Sequence, residues 1–157
     1  MNMLVLCCLF PLSLLAGQQD LEMLLKELDA VIECKDSYIL PKEKELSELR
    51  LRLKNTKNNR QKYELCDKLF TAYLHYQADS ALSYVERKQE LLPFLDEPVL
   101  EQELIINRAE VMGVMGMYSW AEQLLSQVKP GILTPELLGY YYRTMRANYG
   151  WFADYLV

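Results

Sequence analysis

Apolar residues along this chain recur at helical rather than strand spacing, and polar breaks divide them into amphipathic segments. Asp20 suits an N-cap, and Leu21, Leu24, Leu25, Leu28, Val31 and Ile32 form a stripe with Glu22, Lys26, Glu27 and Asp29 opposite. The pattern weakens at Cys34 to Ser37, and Pro41 suits the first turn of a second helix over 42–54. That helix has a thin stripe (Leu46, Leu49, Leu53), and the polar run 55–61 predicts a loop. Tyr63, Leu65, Cys66, Leu69, Phe70, Tyr73 and Tyr76 predict the next helix, broken near Gln77 and Ala78. Asp79 or Ser80 then caps a helix carrying Ala81, Leu82, Val85 and Leu92, which stops at Pro93. From Pro98 a helix with Leu100, Leu104, Ile105, Met112 and Met115 leads to a partner entered at Ser119, with Trp120, Leu124, Leu125 and Val128. Thr134-Pro135-Glu136 is a strong helix start, and Leu137, Tyr140, Tyr141, Tyr142 and Met145 continue it to Gly150. A turn at Gly150 and a final helix from Trp151 are expected.

The stretch 108–125 organises the rest. It reads as the end of one helix, a turn at Gly116 and a second helix, with small residues Ala109 and Ala121 where two antiparallel helices approach closely. The spacing Gly116-x-Tyr118-x-x-Ala121 resembles one unit of a tetratricopeptide repeat. Ala81 precedes Ala121 by 40 residues, longer than the usual repeat, whereas Gly150 follows Gly116 by 34. The expected class is all-α, with tetratricopeptide-like helical hairpins forming an α-solenoid after a signal peptide. Trp151, Phe152, Tyr155, Leu156 and Val157 need a covering surface and form no polar cap, so the last hairpin reads as truncated.

Composition changes the picture mainly at the ends. The run from Met3 to Ala16 is apolar and too short for a comfortable membrane span, so 1–17 reads as a secretory signal peptide. Residues 18–62 then make a helical pair with a basic loop, and 63–157 the repeats. After the signal, Cys34 and Cys66 remain; they suit either one disulfide or two small apolar residues in helices. The chain carries 17 basic and 22 acidic residues, with no general nucleic-acid signature. Residues 42–62 hold eight Lys or Arg against three Glu, but glutamates interrupt them and no aromatic interleaves. A solvated face is the better reading than a nucleic-acid surface built on Lys54, Lys57, Arg60 and Lys62.

Leu-Leu-Lys-Glu-Leu-Asp29, Tyr-Glu-Leu-Cys66, Asp-Ser-Ala-Leu82, Ala-Glu-Val-Met-Gly-Val-Met-Gly-Met-Tyr118 and Leu-Leu-Gly-Tyr-Tyr-Tyr-Arg143 carry a wider resemblance. In this order they are similar to the N-terminal part of exported, membrane-anchored tetratricopeptide-like regulators of Bacteroides-type bacteria. The resemblance implies an extracytoplasmic sensing module of such a regulator; the alternative is a stand-alone periplasmic scaffold. It supplies no catalytic residues.

No phosphate-binding glycine loop, His-Glu-x-x-His or nucleophile elbow occurs, and His75, the only histidine, has no partner constellation. No enzyme activity, cofactor or metal is expected. The expected site is a groove lined by the first helices of the hairpins: Tyr63, Phe70, Tyr73, Ile106, Glu110, Tyr140 and Thr144. An aromatic floor with an acidic edge suits a protein or peptide partner, with membrane attachment only through the signal segment or a missing C-terminal span. The same aromatics also suit ordinary core packing.

Overall fold

The computed structural model describes residues 21–155, which are helical and contain no strand. The expected signal segment lies outside the described residues, as do Leu156 and Val157. The helices are α1 (21–33), α2 (Lys35–Asn55), α3 (Asn59–Tyr73), α4 (Ala78–Leu91), α5 (Pro98–Val114), α6 (Tyr118–Leu125) and α7 (Pro135–Tyr155). None of the described helices is long and apolar enough to cross a membrane. The chain divides into two compact units, one through Glu45 and one from Leu46 to Val157.

In the first unit the expected stripe is present but uncovered: Leu21, Leu24, Leu28 and Val31 are all more than half exposed. The helix expected to start at Pro41 starts earlier, at Lys35, and Pro41 lies inside it. The break falls at Cys34, whose carbonyl accepts from both the amide (3.0 Å) and the hydroxyl (2.6 Å) of Ser37. A proline costs its helix one hydrogen bond to the residue four back. Here that residue is Ser37, exposed like Pro41 itself, so water can satisfy the freed carbonyl.

The second unit is a stack of hairpins. Helices α3 and α4 pair, α5 and α6 pair, and α5 also packs on α4 and α7. Leu46, midway along α2, is fully buried with Leu69, Val85, Ile106 and Val111 in one core. Ala81 and Ala121 are both fully buried, as their small size at the hairpin contacts requires. The expected loop 55–61 contracts to 56–58, because the Asn58 side chain caps α3 by accepting from the Gln61 amide at 3.0 Å. Thr134 caps α7 in the same way through the Leu137 amide, at 3.3 Å.

Gly116 ends α5 with φ +78°, in the left-handed region that favours glycine. The Met117 amide reaches back to Met112 (2.8 Å) and the Gly116 amide to Gly113 (3.0 Å), a Schellman closure. Gly150 does not repeat it. Instead α7 runs through Gly150 to Tyr155, so the expected last hairpin turn is absent. The continued helix carries Trp151 onto Gly113, where an added Cβ would lie 3.1 Å from the indole, and Phe152 onto Tyr118, ring centroids 5.8 Å apart. Those contacts need helix, not a turn. Trp120, expected in the core, is 57% exposed; Ala121, Leu125 and Val128 form the buried side of that segment.

Candidate functional site

The first helices of the hairpins share one groove of about 850 Å3. Phe70 comes from α3, Leu74 and His75 from the turn after it, Glu103, Asn107 and Glu110 from α5, and Leu137, Tyr140 and Arg143 from α7. On α5 the groove face is Glu103, Asn107 and Glu110, spaced i, i+4 and i+7, which one side of a helix requires.

A lysine that comes from behind holds this surface together. Lys88 belongs to α4, yet its side chain is fully buried and its ammonium lies between α3 and α5. It donates to Asp67 Oδ1 at 2.5 Å, Glu103 Oε1 at 2.5 Å and Asn107 Oδ1 at 2.6 Å. Three donors meet three acceptors, so the buried charge is fully hydrogen-bonded. Its nitrogen also lies 4.6 Å from the Tyr63 ring centroid and 5.9 Å from that of Phe70, inside cation–π range.

The chain of bonds continues across the groove. Asn107 Nδ2 donates to the Tyr140 hydroxyl at 3.0 Å, and that hydroxyl donates to Glu110 Oε2. Six side chains from α3, α4, α5 and α7 are thus joined through Lys88, Asn107 and Tyr140. Asp67 and Glu103 open one end to solvent, and half-buried Glu110 forms the other. Burial pushes the Glu110 carboxyl above its ordinary range, against the Tyr140 hydrogen bond and the nearby His75 and Arg143. Burial, with the Glu110 charge beside it, pushes the Tyr140 phenol far up. Tyr140 therefore stays a protonated donor and orients the carboxylate. At the groove's edge Arg60 grips both oxygens of Glu97, at 2.7 and 2.8 Å, and reaches Glu64 at 3.2 Å. One member of the basic segment is therefore tied to carboxylates.

Of the expected groove residues, Phe70, Glu110 and Tyr140 line the groove. Tyr63 is buried beneath its Asp67 end, with its hydroxyl 3.4 Å from the Leu100 carbonyl. Three others are turned elsewhere. Tyr73 stacks on Tyr84 (5.6 Å) and its hydroxyl accepts from Arg50 at 3.1 Å, toward α2 and α4. Ile106 is fully buried core, and Thr144 is buried with its hydroxyl unpartnered among the described residues. On α5 the expected face holds at Glu110 but is one residue off at Ile106, whose assigned place Asn107 occupies. Sequence reasoning missed Lys88, although Ala81, Tyr84, Val85 and Lys88 share one buried helical face. A lysine on an apolar face was the available signal. Cys34 is exposed, Cys66 is buried as a small core residue, and both are free thiols. Among the described residues no cluster of His, Cys, Asp and Glu could hold a metal.

The family model described as the SusR N-terminal TPR domain matches residues 32–157, covering the end of α1 and everything after it. No curated protein and no solved structure matches the chain.

Proposed function

The chain belongs to the SusR N-terminal TPR domain family, and from that membership we propose that it is a non-catalytic interaction module, the extracytoplasmic sensing part of a membrane-anchored transcriptional regulator. The observation that carries the reading is the groove itself. Its floor is a satisfied hydrogen-bond chain, so its shape is held before any partner arrives, and Phe70, Leu74 and Leu137 offer apolar wall beside it. A protein or peptide segment would bury anchors on that wall and present donors to Glu103 and Glu110. The signal would pass through packed α3, α5 and α7 without chemistry on the partner.

Two experiments test this. A photo-crosslinking residue at Leu137 should capture a defined partner in source cells, and the same residue at exposed Trp120 should not. Equal capture at both positions, or none at Leu137, refutes the groove. Fractionation of the same cells tests the sensor. Antibody to residues 46–157 should find a band much larger than this chain in the inner membrane. A band of this chain's size in the soluble periplasm would instead mean a scaffold that works alone.

A further inference from the structure

A second pocket opens on a different face of α3, away from the groove. It encloses about 550 Å3 between the end of α2, the start of α3 and the outer part of α4. Four cationic side chains line it: Arg50 and Lys54 from α2, Lys62 from α3 and Arg87 from α4, against a single acid, Glu90. Arg50 and Lys54 are four residues apart, so one helical face delivers both. The wall behind them is Leu53, Tyr84 and Leu91, with the Cys66 thiol at its base.

Three of these charges are not spent on internal ion pairs. Lys54, Lys62 and Arg87 have no carboxylate oxygen within 4.0 Å among the described residues. This differs from the groove, where Lys88 and Arg60 are each held by carboxylates. Arg87 is instead laid over the Tyr84 ring, 5.2 Å from its centroid, and Tyr84 is braced from α3 by Tyr73. That contact holds the guanidinium over the ring without using its N–H groups, which can make the two-pronged contact that oxyanions accept. Arg50 is oriented too, by donation to the Tyr73 hydroxyl and to Ser47, each at 3.1 Å. Four like charges gathered around one cleft repel one another, and a bound anion would reverse the sign of that term.

We propose that this cleft binds a small organic oxyanion, a phosphate ester or carboxylate, with its head among Lys54, Lys62 and Arg87 and its body against Leu53, Tyr84 and Leu91. The pocket's volume falls within the range of small-molecule sites. The site does not depend on the groove, and a ligand in it would contact three consecutive helices of the stack at once.

The test is an amide-resolved NMR titration of the full chain at fixed ionic strength. The probes are phenyl phosphate, benzoate, inorganic phosphate, phenol and a ten-residue oligothymidylate. Phenyl phosphate should give saturable shifts confined to 50–56, 62–66 and 84–91. It should bind more tightly than inorganic phosphate, and phenol should not saturate. Lys62→Gln and Arg87→Gln, both changes at the pocket's rim, should each weaken phenyl phosphate about tenfold. Arg143→Gln in the groove should leave it unchanged. Benzoate binding at the same amides would extend the site to carboxylates, and its failure would restrict it to phosphate esters. Equal affinity for phenyl phosphate and inorganic phosphate would overturn the part assigned to the apolar wall. Shifts that never saturate, or that survive in both variants, would overturn the site. Oligothymidylate binding that includes Lys57 and exceeds phenyl phosphate a hundredfold would replace it with a nucleic-acid surface.

Discussion

Lys88→Met is the most informative single change in the stack, because methionine keeps an unbranched apolar stem, one heavy atom shorter, and removes the charge and its donors. Lys88 is fully buried and its ammonium makes three short hydrogen bonds. Removing one partner of a buried ion pair typically costs about 3–5 kcal/mol, chiefly because the other is left desolvated and unpaired. Here the partners are unequal. The Asp67 side chain is 44% exposed and Glu103 23%, so both can turn to water once the cation is gone, and Asp67 deserves little weight. Asn107 is 2% exposed and has no such escape for its carbonyl oxygen. The expected loss is therefore at the low end, about 3 kcal/mol, read from equilibrium urea unfolding by circular dichroism. Combining Lys88→Met with Glu103→Gln should recover roughly 1 kcal/mol, since the second change removes a carboxylate left beside Asp67. A loss below about 1 kcal/mol, or strict additivity with Glu103→Gln to within about 0.5 kcal/mol, would refute the idea that this lysine holds the helices together.

Two glycines and one acid supply the remaining predictions. Gly116→Ala should lower stability by about 1–2 kcal/mol, because its φ of +78° is strained for any residue with a Cβ. Gly150→Ala should raise stability by about 0.5–1 kcal/mol, since Gly150 lies within α7 and an added Cβ would meet open space. Thermal melts of the pair check both signs, and a loss at Gly150 would mean that the residue is a turn after all. For Glu110, the raised carboxyl means that the folded state favours the protonated form. Its contribution is best below the unfolded value, near 4.5, and declines as pH rises through the folded value. Glu110→Gln should thus exceed the parent in stability near neutral pH, with the gap closing as pH falls toward 4.5; a gap that widens on acidification contradicts the assignment.

Helix starts were legible wherever local chemistry decides them. The Thr134-Pro135-Glu136 start, Pro98 at the head of α5 and the Gly116 turn are fixed by caps and backbone geometry within a few residues, and each appears where the pattern put it. The misses have a common physical cause: they depend on what the neighbouring helix presents. Gly150 matched the repeat spacing of Gly116, but a glycine only permits a turn. Trp151 and Phe152 gain contacts on Gly113 and Tyr118 if the helix continues, and that packing decides the matter. Periodicity likewise identified the face of α4 that carries Ala81 and Val85, without revealing that Lys88 on the same face would find carboxylates waiting. On α5 Ile106 is core and its neighbour Asn107 faces the groove with Glu110, and hydrophobicity alone cannot weigh Asn107, whose burial depends on bonds to Lys88 and Tyr140. The groove is thus an assembled property. Its acid and aromatics were visible along the chain, but its amide was not, and the lysine that joins them belongs to the second helix of its hairpin.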